Sequence, residues 1–73
     1  MNKYLVPICD VADGSIWIQK ISAKSFSDCE ERLMLHLIET YDYDFTGSYK
    51  EFVEWLDYNK NILIGDIQDI EEL

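Results

Sequence analysis

Residues 4–23, YLVPICDVADGSIWIQKISA, decide the architecture. Tyr4 to Val11 and Ile16 to Ala23 are rich in β-branched and aromatic side chains, and between them Asp13-Gly14 is the dipeptide that a two-residue type I′ turn requires. The stretch reads as a β-hairpin. With Asp13 and Gly14 as the loop, Ala12 opposes Ser15, and one face pairs Val11 with Ile16, Cys9 with Ile18 and Pro7 with Lys20. The other face pairs Asp10 with Trp17, Ile8 with Gln19, Val6 with Ile21 and Tyr4 with Ala23. Both faces therefore carry an apolar patch, although a lone small sheet turns only one face toward its helices. Pro7 has no N–H for a ladder, which places it at a bulge or an outward-facing position of the first strand.

Downstream, the hydrophobic period changes from 2 to 3.6. A helix is expected to begin near Ser25 or Ser27, because Ser27 with Glu30 fits a capping box and Asp28, Glu30 and Glu31 suit the positive end of the helix dipole. Its core-facing stripe is Phe26, Cys29, Leu33, Met34, Leu37, Ile38 and Tyr41, with Leu35 alone on the polar side. After the connector 42–47, DYDFTG, Ser48 and Glu51 form a second capping box. Tyr49, Phe52, Val53 and Leu56 then give a second helical stripe, which ends by the polar cluster Asn59-Lys60-Asn61. Ile62-Leu63-Ile64 reads as a third strand, Gly65 as a bulge or strand end, and residues 66–73 as an acidic tail. The expected fold is α+β, a single domain over residues 1–73. A small, mostly antiparallel three-stranded sheet carries two helices on one face in the order ββααβ.

A chain of 73 residues buries only about 60% of the surface its unfolded form exposes, so its core gives a thin stability margin and leaves little room for a pocket. Its apolar content, 48%, is too high for disorder. No apolar run reaches the roughly 18 residues of a membrane span, and the first residues lack a signal peptide's apolar run, so a cytoplasmic protein is expected. Cys9 and Cys29 lie in no CxxC and read as reduced, buried apolar residues.

The 15 acidic and six basic side chains, net −9, are distributed unevenly. Residues 1–38 hold five acidic and four basic side chains, net −1, whereas residues 39–73 hold ten and two, net −8. Such a field repels nucleic acid and anionic membrane and steers association toward basic surfaces. An acidic surface that serves solubility alone would read the same way in composition.

Patterns of catalysis and metal binding fail when their parts are counted. His36 is the one histidine and has no second imidazole or cysteine near it, whereas zinc needs three or four converging ligands. No serine lies in a GxSxG elbow, and the three glycines are too scattered for a phosphate-binding loop. Asp42, Asp44, Thr46 and Gly47 match positions 1, 3, 5 and 6 of a calcium loop, but position 12, which must supply a bidentate glutamate, is Val53. The expectation is a protein that is not an enzyme and takes no metal or cofactor.

What remains is a binding surface. On the connector, aromatic and acidic side chains alternate, which either anchors a solvated loop through Tyr43 and Phe45 or presents an interface hot spot. Trp55 lies about 60° off the centre of its helix's stripe and is expected to be partly exposed. The candidate partner-binding residues are Asp42, Tyr43, Asp44, Glu51, Glu54, Trp55, Asp57, Asp66 and Asp69. In size, acidity and compact α+β pattern the chain is similar to small phage-encoded anti-defence proteins of the anti-CRISPR type; the similarity is one of general character and brings no family motif or site residue with it. It implies an inhibitor that docks on a basic, nucleic-acid-binding surface of a larger protein and binds neither nucleic acid nor membrane itself. The alternative is a structural or adaptor module that forms a homodimer through an apolar sheet face or a strand edge.

Overall fold

The computed structural model describes residues 1–70 and has the expected α+β architecture, an antiparallel sheet with two helices. The elements are β1 (Asn2–Asp10), β2 (Ser15–Ala23), α1 (Phe26–Tyr41), α2 (Tyr49–Lys60), β3 (Ile62–Ile64) and β4 (Gln68–Asp69). β1 is central. β2 lies along one side of it, and β3 and then β4 lie along the other, all antiparallel to β1. The two-residue β4 extends the expected order by one short strand, in the part of the sequence read as tail; residues 71–73 of that tail lie outside the described residues.

The hairpin forms with a register two residues away from the expected one. Tyr4 faces Ile21, Val6 faces Gln19, Ile8 faces Trp17 and Asp10 faces Ser15, so the loop holds four residues, 11–14, and not two. The reason lies in local polar groups. The Gly14 N–H donates to the Asp10 carbonyl at 2.8 Å, the Asp10 carboxylate accepts the Ala12 N–H, and the Asp13 carboxylate accepts the Ser15 N–H at 2.8 Å. Two aspartates acting on the backbone two residues ahead stabilise a wider turn, with Gly14 supplying the positive φ of 78°. Because side chains alternate with a period of two, a two-residue shift changes every cross-strand partner and leaves each residue on its expected face.

One face of the sheet is the core. Tyr4, Val6, Ile8, Ile21, Ala23 and Ile62 are buried against Cys29, Leu33 and Leu37 of α1 and Phe52 and Leu56 of α2. The opposite face stays open: Ile16 is 75% exposed, Ile18 56% and Leu63 44%, and the loop residue Val11 is exposed beside them. Cys9 lies on this outer face and is half-buried, which corrects its reading as a core residue; Cys29 is buried as expected, and both are free thiols.

Pro7 is accommodated on the β3 side. Its carbonyl accepts the Gly65 N–H at 2.8 Å, and Val11 donates to the Asn61 carbonyl at 2.9 Å on the same side. The odd-numbered residues of β1 therefore direct their backbone polar groups toward β3, and the even-numbered ones toward β2. Gly65 must approach the proline ring closely: a Cβ there would lie 2.7 Å from the Pro7 Cγ, and the strand ends at that point.

The N-cap of α1 is Ser25, whose hydroxyl accepts the Asp28 N–H, and not Ser27. Asp28 reaches back one residue further than a capping box, to the Lys24 N–H at 2.9 Å, and pairs with Arg32 one turn on at 2.9 Å. The capping box of Ser48 and Glu51 forms as read from sequence. α1 and α2 both end on a left-handed residue, Asp42 and Asn61 with φ 55° each, whose short polar side chains tolerate that conformation.

Candidate functional site

The connector between the helices folds back onto α2 through its aromatic side chains. Phe45 packs against Phe52 and Trp55 at centroid distances of 5.2 and 5.3 Å, Tyr43 meets Trp55 edge-on at 5.3 Å, and Tyr41 stacks on Tyr43 at 5.4 Å. Each step alternates a ring that is half-buried with a carboxylate that is not: Asp42 and Asp44 are exposed while Tyr43 and Phe45 turn inward. The alternation visible in sequence thus becomes a row of rings anchored to the core beneath two solvent-facing carboxylates. Burial holds the Tyr43 phenol above its ordinary pKa, with the neighbouring Tyr41 and Asp10 adding to that effect.

Lys60, in the last turn of α2, closes the row. Its ammonium lies 5.4 Å from the centre of the Tyr43 ring and 5.6 Å from that of Trp55, a position in which the faces of both rings attract the cation. Trp55 is half-buried and packs against the core with one side, in line with its place at the edge of the helical stripe.

The outer face of α2 carries the next group of charges. At 100° per residue Glu51, Glu54, Asp57 and Lys50 all point away from Phe52 and Leu56, and all four are exposed. Glu51 has a second role here. Its carboxylate accepts the Ser48 N–H, an interaction that favours the ionised form and holds its pKa below the ordinary glutamate value.

Tyr58 belongs to this face and was not among the residues singled out from sequence. It is 89% exposed, between Glu51 and Glu54 on the helical wheel. The signal was present: Tyr58 lies about 140° from the centre of the buried stripe, and an aromatic side chain of that size with almost its whole surface in water is an anchor without a pocket.

Asp66 and Asp69 lie away from this cluster in sequence, and Asp66 borders a depression that Glu30 of α1 and Tyr49 and Val53 of α2 also line. Asp66 is exposed in the segment that joins β3 to β4, and Asp69 is half-buried in β4 opposite Tyr4. The candidate residues therefore fall into two groups, one built on the connector and α2 and one on the last strands.

His36 is exposed on α1, and among the described residues no three His, Cys, Asp or Glu side chains converge as a metal would need. The surface has shallow depressions. One of 340 Å³ is lined by Ser27, Glu30, Glu31, Met34, Gly47 and Tyr49, and an apolar one of 220 Å³ lies over Pro7, Cys9, Ile16 and Leu63 on the outer sheet face. No described helix is long and apolar enough to cross a membrane. No protein-family model, curated protein or solved structure matches the chain.

Proposed function

We propose that this protein is a non-enzymatic inhibitor that docks the acidic face of its connector and α2 onto a basic, nucleic-acid-binding surface of a larger protein, so that nucleic acid is excluded sterically and electrostatically. The observation that carries this reading is the layering of the connector and α2. Asp42, Asp44, Glu51, Glu54 and Asp57 are exposed around a fixed base of packed rings, with Tyr58 projecting among them.

Carboxylates held on a rigid base lose little freedom on binding and can occupy positions that phosphates fill on the partner. Tyr58 adds an aromatic anchor of the kind that dominates binding energy at the centre of interfaces, ringed by groups that pair with Arg and Lys. The mode of action is the one expected of the anti-CRISPR-type proteins that the chain resembles in size and charge. It needs no cofactor and no bond-making step.

The test is capture of host proteins on the immobilised chain at low and high salt. The control is a variant carrying Asp42→Asn, Asp44→Asn, Glu51→Gln, Glu54→Gln and Asp57→Asn. Capture of a nucleic-acid-binding protein that weakens steeply with salt, is lost in the variant, and is displaced by excess duplex or single-stranded nucleic acid supports the proposal. Equal capture by the variant, or a captured complex that nucleic acid fails to displace, overturns it.

A further inference from the structure

The sheet has two edges, and the fold treats them differently. On one side β3 and β4 are three and two residues long and are interrupted at Gly65, so little of that edge is regular. On the other side β2 runs for nine residues in unbroken register with β1, with no proline and no bulge, and no described strand pairs with its far side. Natural edges are blunted by shortness, charge, proline or bulges, and of these β2 has only Lys20.

The ladder pattern identifies the groups left open. The even-numbered residues of β1 turn their backbone polar groups to β2, so their partners Ser15, Trp17, Gln19, Ile21 and Ala23 are satisfied from that side. The N–H and C=O groups of Ile16, Ile18, Lys20 and Ser22 point to the open edge, and their side chains lie on the exposed sheet face, where Ile16 and Ile18 are largely in water.

Charge decides the occupant. A basic partner of the kind that suits α2 has nothing to pair with here, because β2 carries one lysine and no carboxylate, and Lys3 lies on the same outer face. A second copy of a −9 chain is repelled wherever acidic surfaces meet, yet β1, α1, α2 and β4 all contain carboxylates, and of the described elements only β2 and the three-residue β3 have none. β2 is thus the long element along which two copies can approach with least repulsion.

We infer that two copies of this chain associate through antiparallel pairing of β2 with β2 of the second copy, about a two-fold axis at Ile18. In that register Ile18 meets Ile18 of the second copy, and Ile16 lies opposite Lys20, whose aliphatic stem covers it while the two like charges stay apart. The interface is isologous and closes at two copies, giving one continuous sheet with both sets of helices on its inner face and the two acidic α2 faces at its far ends. It is small, so its Kd is on the order of 10–100 μM. This inference is independent of the proposed function: it concerns another surface, and its test needs no partner protein.

Sedimentation equilibrium of the full chain up to about 1 mM is expected to give twice the chain mass at the upper end. At that concentration the amides of Ile16, Ile18 and Lys20, which the register pairs with one another across the axis, should exchange slowly with deuterium. Ile18→Lys, which keeps an exposed position exposed but sets two ammonium groups together on the axis, should weaken association by at least about tenfold, with native amide dispersion showing that it folds. Ile16→Glu, placed opposite Lys20 of the second copy, should leave association intact or tighten it. A chain that stays monomeric, fast exchange of those three amides in the dimer, an Ile18→Lys variant that associates as before, or loss of association in Ile16→Glu would each overturn the inference.

Discussion

Gly65 is required by its neighbour and not by its own backbone angle. A methyl group there meets the Pro7 ring at 2.7 Å, and neither the ring nor the β1 backbone that carries it can turn aside. Gly65→Ala is therefore expected to destabilise the fold by about 1–3 kcal/mol, the usual range for overpacking, measured by urea unfolding. A second variant, Pro7→Ala with Gly65→Ala, should recover part of that loss, because removing Cγ removes the closest contact. Tyr49 makes a different residue-scale prediction. Burial pushes its phenol up to about 12, with Glu30 and Cys29 adding to the shift, so the folded chain keeps this proton at pH values where the unfolded chain has released it. The stabilisation is complete below pH 10 and is lost as pH rises toward 12. Tyr49→Phe should show a shallower fall in stability over that window, with the slope that remains including Tyr43, whose phenol is shifted in the same direction. The burial of Tyr49 was legible in the helical stripe. The half-exposure of Cys9 was not, because its residue type points to burial while its strand parity places it on the outer face.

At the scale of elements, local signals succeeded where a single interaction defines the end of a helix and failed where two compete. Ser48 and Glu51 satisfy each other's backbone groups, and nothing else nearby offers the same bonds. At α1, Ser25 and Ser27 both stand before an acidic residue at the required spacing. Ser25 is the cap because Asp28 is then placed to accept the Lys24 N–H as well, closing the turn on both sides. Ser48→Ala and Ser25→Ala should each cost about 1 kcal/mol, and Ser27→Ala should change stability by no more than a few tenths, a contrast readable as melting shifts of several degrees against almost none. The hairpin failed for the same reason. Asp13-Gly14 signals a two-residue turn, but Asp10 and Asp13 each bond the backbone two residues on, and the two Asx interactions together favour four residues. β4 was invisible, since two residues have no period.

Over the whole molecule, the division of charge seen along the chain becomes a division in space. The outer sheet face, formed by Lys3, Leu5, Pro7, Cys9, Ile16, Ile18, Lys20 and Leu63, carries no carboxylate among the described residues, while the connector and the outer face of α2 concentrate them. Such crowding has a cost that folding must bear: of Asp42, Asp44, Glu54 and Asp57, the helix sets Glu54 one turn from both Glu51 and Asp57, and Asp42 lies at the negative end of the α1 dipole. Neutralising these four as Asn and Gln, with Glu51 kept for its capping role, should therefore stabilise the isolated protein. Each relieved like-charge neighbour on the helix contributes roughly 0.2–0.5 kcal/mol at low salt. The gain should shrink as salt rises, since the repulsion between exposed charges is what salt screens. The same variant should lose partner binding. Measured together, melting temperature up and affinity down identify carboxylates retained for recognition at the expense of stability. If the four substitutions left melting unchanged at low salt, the repulsion would be too weak to reveal such a trade. If they lowered it, the carboxylates would be supporting the fold, and their exposure on the rigid face of α2 would need a structural explanation instead of a functional one.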